Sequence, residues 1–168
     1  MYNGKMRIAI IILVLINFVA LSSCVIDPET DPELGIIIAV GNGSASPGTE
    51  NVSVNVSMDN ADPIKGIQMD ICDQGDNLIC TGCETTARAS DFQCITNELD
   101  HGCVRLVLIS FEGDLIDVGT GPLFSLSYDV ADDAPSECIS LTPEGTNVSD
   151  ENTIPVSATT EAGEFCIN

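Results

Sequence analysis

Val52, Val54, Val56 and Met58 alternate with Ser53, Asn55 and Ser57. Side chains on a strand point alternately to its two faces, so this stretch is apolar on one face and polar on the other. The segment Asp59-Asn60-Ala61-Asp62-Pro63 cannot continue it, because proline lacks a donor N–H and Asp and Asn favour turns. Alternation resumes at Ile67, Met69 and Ile71, with Gln68 and Asp70 between them. Two half-buried strands joined by a polar corner must each cover an apolar face, and an antiparallel β-sandwich does this for both.

The rest of the chain repeats the theme. Leu34–Val40 reads as a first strand, and Gly41-Asn42-Gly43-Ser44 as a turn. Asp73–Asn77 is a polar loop, Leu78–Thr86 an irregular strand and Phe92–Ile95 a weak one. Cys103–Phe111 is the longest apolar run after residue 34 and reads as a central strand. Leu123, Ser125, Ser127 and Asp129 alternate with Phe124, Leu126, Tyr128 and Val130. Cys138–Leu141, Asn147–Val148, Ile154–Val156 and Phe165–Ile167 read as short closing strands. No helical period is sustained after the N-terminal segment, so an all-β sandwich or jelly roll is expected.

Lys5 and Arg7 precede the apolar run Ile8–Leu21, which is broken only by Asn17. A spanning helix needs about 20 apolar residues, so the run suits a secretory signal better than a membrane span. It ends in Leu21-Ser22-Ser23-Cys24, which resembles the bacterial lipobox. That resemblance implies a signal peptide over 1–23, lipidation of Cys24 and export to a membrane surface. With Val at position 25, the outer membrane or cell surface is the expected destination. Residues 24–33 carry two Asp-Pro steps among alternating acids and read as an extended tether; the domain is expected over 34–168.

Charge is lopsided, with 26 acids against five Lys and Arg. All of the acids follow residue 24, where only Lys65, Arg88 and Arg105 oppose them. Such a surface repels phosphates and anionic headgroups, which excludes nucleic acid as a partner. It suits solubility in a salty medium, or a surface for cations or a basic partner.

The order of turns and strands resembles that of a cohesin module. The matching residues are Pro47-Gly48; Val52, Val54 and Val56; Asn60; Pro63-Ile64; and Gly66-Ile67-Gln68. They continue with Gly102-Cys103-Val104-Arg105, Gly119-Thr120-Gly121-Pro122-Leu123-Phe124, Tyr128-Asp129-Val130 and Gly163-Glu164-Phe165-Cys166-Ile167. The resemblance implies a nine-stranded antiparallel jelly roll and a non-catalytic role. Its partner would be a dockerin, a small calcium-binding helical module borne by extracellular proteins. Position by position it carries Gln68, Asp70 and Arg105 over as partner contacts, with no cofactor of the module's own and calcium confined mainly to the partner. The cysteine-rich middle departs from the family pattern.

Seven cysteines follow Cys24, and in an oxidising compartment disulfides are the default. Cys138 and Cys166 lie on late strands expected to be neighbours. A Cys94–Cys103 bridge would close the polar run Thr96–Gly102, leaving Cys72 to pair with Cys80 or Cys83 and one thiol over. Cys80-x-x-Cys83 with Cys94, Cys103 and adjacent His101 offers a rival zinc set, but the second pair is too widely spaced for a knuckle. Cys80-Thr81-Gly82-Cys83 lacks the helical context of a redox motif. Asp114 and Asp117, or Asp129, Asp132 and Asp133, could hold calcium, without EF-hand spacing. Four Asn-x-Ser sequons, at Asn42, Asn51, Asn55 and Asn147, are discounted because the lipobox is bacterial. No Gly-x-Ser-x-Gly elbow is present and no spacing singles out a carboxylate pair, so no enzyme is expected. Direct carbohydrate binding is the alternative function, and it needs exposed aromatics that the composition barely supplies.

Overall fold

The computed structural model describes residues 35–73, 75, 77–99 and 102–168. The expected signal peptide, lipidated Cys24 and tether lie outside the described residues, as does His101. Twelve strands follow in chain order: β1 Ile37–Val40, β2 Gly43–Ala45, β3 Val52–Asn60, β4 Ile64–Cys72, β5 Leu78–Thr85 and β6 Gln93–Leu99. The others are β7 Cys103–Ile109, β8 Gly119–Val130, β9 Cys138–Asp150, β10 Pro155–Val156, β11 Thr159–Glu161 and β12 Gly163–Ile167. One sheet has the order β11-β1-β3-β8-β5, and the other β2-β12-β9-β4-β7-β6 with β10 on β9.

β3 and β4 obey their alternation, but they belong to different sheets. Val54, Val56 and Met58 of one face Ile67, Met69 and Ile71 of the other within a single core, all at most 2 % exposed. The polar corner therefore carries the chain from one layer to the next. Asn60, 1 % exposed, donates through Nδ2 to the carbonyls of Asp62 (2.7 Å) and Asp117 (3.2 Å). Its Oδ1 accepts from Arg88, which stands on a short 3-10 turn, Ala87–Ala89. The Arg88 guanidinium also donates to the carbonyls of Met58 (2.6 Å), Gly121 (3.2 Å), Asp117 (3.2 Å) and Gly119.

The expected nine antiparallel strands are exceeded, and two edge pairs are parallel: β1 with β11, and β2 with β12. The reason is that both ends of the domain cross between the sheets side by side, one at 41–42 and the other at residue 162. They run so close there that a Cβ on Gly163 would lie 2.0 Å from the Gly41 carbonyl oxygen. The turn expected at 41–44 is consequently a crossing that ends in strand β2. The separate closing strands expected at 138–141 and 147–148 are one strand of 13 residues. Its pairing with β4 slips between Gln68 and Asp70, where Gly145 takes a left-handed φ of 54°. Leu123 leaves its expected polar phase because the β3–β8 pairing slips there, and Leu123 and Phe124 are both fully buried.

Three disulfides link Cys138 to Cys166, Cys72 to Cys103 and Cys83 to Cys94; Cys80 is the thiol left over. The expected Cys94–Cys103 bridge does not form. Thr96–Leu99 of the run taken for a loop belong to strand β6, which places Cys94 opposite Leu108 and Cys103 opposite Leu99, far apart along one hairpin. Cys103 instead stands directly across from Cys72 on β4. Cys72 therefore pairs with neither Cys80 nor Cys83: it is bonded to Cys103, and Cys83 to Cys94. Cys83–Cys94 ties the edge strand of one sheet to the edge strand of the other. With Cys83, Cys94 and Cys103 all bonded, the zinc set has only one thiol to offer.

Removing the Arg88 fork leaves several carbonyls and Asn60 Oδ1 short of donors at a partly buried corner. Arg88→Ala is expected to lower the unfolding free energy by about 2–3 kcal/mol, read as a shifted urea midpoint. An unshifted midpoint would show that water replaces the guanidinium at no cost.

Candidate binding face

The outer face of β6-β7-β4-β9 is covered by no further layer among the described residues, and its side chains fall in rows set by the pairing. One row reads Asn97, Arg105, Asp70, Glu144. The next reads Ile95, Val107, Gln68, Asn147, and the next Gln93, Ile109, Gly66, Ser149. The inward phase of the same strands is core: Val104, Leu106 and Leu108 on β7, and Ile67, Met69 and Ile71 on β4. The run Cys103–Phe111 thus hides two phases, one buried and one outward. Ile109 is 36 % and Ile95 46 % exposed, so the outer phase presents apolar surface to solvent.

Gln68, Asp70 and Arg105, the three contacts implied by the resemblance, stand together on this face. Arg105 grips Asp70 with a two-pronged pair, Nε to Oδ1 and Nη2 to Oδ2, each 2.8 Å. The Arg105 hydrogen bond holds the Asp70 carboxyl below its usual pKa against the opposing effect of burial, and Asp70 raises Arg105 in turn. The fork fixes two long side chains in one geometry and cancels their charges at the centre of the face. The Cys72–Cys103 bridge closes the adjacent row, one pleat along the same two strands.

Beside this row lies a shallow depression of about 330 Å³, lined by Lys65, Gly66, Gln68, Val107, Ile109 and Ser149 among others. Its floor is open because Gly66 has no side chain; a Cβ there would lie 3.3 Å from the Leu108 carbonyl oxygen and 3.6 Å from Ser149 Oγ. Thr153, on its rim, has a φ of 67°, unusual for a β-branched residue and a local strain of roughly 1–3 kcal/mol. The sequence reading missed Lys65, Gly66, Val107, Ile109, Ile95 and Asn147 as members of the face. The available signal was the outward phase of β7, where Arg105 is followed by Val107 and Ile109.

A second cavity, about 310 Å³, opens between β5 and β6 and is lined by Cys80, Tyr128, Asp73 and Glu98 among others. Burial pushes both the Cys80 thiol and the Tyr128 phenol up, so neither is a ready nucleophile.

No family model matches the sequence, and no curated protein matches it. Solved structures do match the fold. A cohesin from Clostridium acetobutylicum, determined in solution, is similar with a TM-score of 0.66 and 20% identity, over 81% of this chain and 92% of that one. The chain has the cohesin fold. A non-cellulosomal cohesin of the archaeon Archaeoglobus fulgidus gives a TM-score of 0.66 at 19% identity, covering 80% of this chain and 91% of that one. The OlpA cohesin of Clostridium thermocellum, solved in a complex with a dockerin, gives 0.68 at 17% identity, covering 80% and 99%.

A carboxylate whose pKa is depressed in the folded state contributes stability above its unfolded pKa and loses it as pH falls through the folded value. The stability gap between the wild type and Asp70→Asn is therefore expected to be constant above about pH 4–5. It should close as the pH drops through the depressed Asp70 pKa, in paired thermal melts. A gap that persists at lower pH would assign the effect of Asp70 to packing and not to its charge.

Proposed function

We propose that this protein is a non-catalytic binding module, lipid-anchored through Cys24, whose β6-β7-β4-β9 face receives a dockerin-type domain of another extracellular protein. The observation that carries the reading is the uncovered face itself, an apolar depression bordered by a rigid, charge-cancelled row. An apolar centre with a polar rim is the anatomy of a protein–protein interface. The cohesin fold adds weight, since neighbours with that fold were solved in complex with dockerins. The acidic tether then serves as the spacer that keeps the face clear of the membrane.

Direct carbohydrate binding receives less support. Sugar platforms stack pyranose faces on exposed rings. Of the rings among the described residues, Phe92, Phe124, Tyr128 and Phe165 are buried, and Phe111 alone is exposed.

The test is capture by the oxidised domain, residues 34–168, from the secreted proteins of its own source. Capture of a dockerin-bearing protein that a calcium chelator releases is the expected result, because the partner module depends on calcium. Retention on insoluble polysaccharide with no protein captured would replace this reading with the carbohydrate one. Within the complex, Gly66→Val is expected to fill the floor of the depression and weaken binding at least about tenfold, or about 1.4 kcal/mol, measured below the melting temperature of the variant so that the tight contact with the Leu108 carbonyl oxygen does not enter as unfolding. Wild-type affinity in that variant would move the contact off this face.

A further inference from the structure

Only three basic side chains oppose the 26 acids after residue 24. The structure spends two of them internally. Arg88 donates to backbone carbonyls and Asn60 at the inter-sheet corner, and Arg105 is forked onto Asp70. Lys65 is in no ion pair among the described residues, and it stands on the lip of the apolar depression.

Its placement is not that of an ordinary strand residue. The pairing of β4 with β9 slips between Ile64 and Gly66, leaving Lys65 as the extra residue. Ile64 and Ile67 are both buried, at 0% and 2% exposure. Two inward residues three apart on a strand need such a bulge, and the bulge takes Lys65 out of the alternation and re-aims it along the rim. In the β4–β9 pairing Asp150 stands opposite Ile64, the residue before Lys65. Asp150 Oδ1 already accepts the N–H groups of Asn152 (2.9 Å) and Ile154 (2.7 Å), which shape the turn carrying Thr153. Among the described residues that line the depression, Lys65 is the one charged side chain and no carboxylate is present.

We propose that Lys65 is a specificity-determining residue of this face. It selects a partner that places an apolar side chain in the depression and a carboxylate beside it. This rests on the adaptor reading above and names the chemistry of its partner. The attraction is one ion pair at the margin of a desolvated contact. The discrimination comes from the scarcity of cations: shifted off Lys65, the same partner carboxylate finds only Arg88 and Arg105, both already engaged, among the 26 acids of the chain. A partner free to be basic elsewhere can still be held in one orientation by this single inverted pair.

The experiment compares the captured dockerin-bearing protein against the wild type, Lys65→Met, Lys65→Glu and Gly66→Val at low and high salt. Lys65→Met is expected to weaken binding about five- to tenfold and Lys65→Glu about fiftyfold, with most of the difference lost at high salt. Replacing the partner's contacting Asp or Glu by Lys is expected to restore binding to Lys65→Glu. Unaltered melting temperatures exclude misfolding as the cause. If Lys65→Glu binds like the wild type while Gly66→Val does not, this inference fails and the adaptor reading stands. If neither variant affects binding, the assignment of the face fails. Capture of no dockerin-bearing protein overturns both.

Discussion

Arg88 pins the corner where β3 leaves its sheet, with no carboxylate partner among the described residues. Its guanidinium sits where the end of β3, the corner through Asn60 and the start of β8 converge, and it donates mainly to backbone carbonyls. A strand that leaves its sheet to enter another exposes carbonyls that no ladder can satisfy, and burying them unsatisfied costs about 1–3 kcal/mol each. A planar five-donor fork answers several at once. This gives a physical meaning to motif residues that are otherwise only a spacing. Asn60 is needed to bridge Asp62, Asp117 and Arg88, and Gly119 and Gly121 bring their carbonyls to the same cation at φ values of 148° and 141°.

With the corner held, the remaining irregularities are bulges, and each re-aims one side chain. The slip at Leu123 adds a second buried apolar group beside Phe124. The slip in β9 opposite Gln68 and Asp70 lets one strand run through Pro143 and Gly145. The slip in β5 between Cys80 and Gly82 puts Cys80 opposite buried Tyr128 and Cys83 opposite buried Leu126, so both sulfurs face the interior. The slip at Lys65 turns a cation toward the outer rim. Strict alternation places i and i+3 on opposite faces and i and i+2 on the same one, so period alone gives the wrong face on one side of each slip.

That accounts for what was legible. β3, β4 from Ile67 onward and the later half of β8 are read correctly because their phase is unbroken there; Gln68, Asp70 and Arg105 come from the resemblance, and the β4–β7 pairing sets Asp70 opposite Arg105. The apolar part of the face they share was not legible. Val107 and Ile109 are embedded in an uninterrupted apolar run, where the outward phase looks the same as the inward one. Of the disulfides, Cys138–Cys166 forms as expected, and the other pairings failed for a related reason. Thr96–Leu99 reads as part of a polar loop because most of β6 lies at an exposed edge, and a polar edge strand carries the same residue types as a loop. Once that stretch is a strand, register alone dictates Cys72–Cys103, and the pairing guessed from loop closure has no geometry left to it.

The three disulfides and the two forked arginines bear on one problem. A domain with this many acids is pushed apart by its own charge, and it has almost no cations with which to build compensating pairs. The cross-links act on the same places where charge and irregularity are least favourable. Cys83–Cys94 ties the two edge strands, Cys138–Cys166 joins β9 to β12 near the chain's end, and Cys72–Cys103 clamps β4 to β7. Each cross-link stabilises by roughly 2–4 kcal/mol through the chain entropy it removes from the unfolded state, a contribution that salt and pH leave largely untouched. With stability supplied covalently, the scarce cations are not needed as general glue. Arg88 can be committed to one corner and Arg105 to one row, and Lys65 can be left unpaired at the surface where recognition, and not folding, determines what it meets.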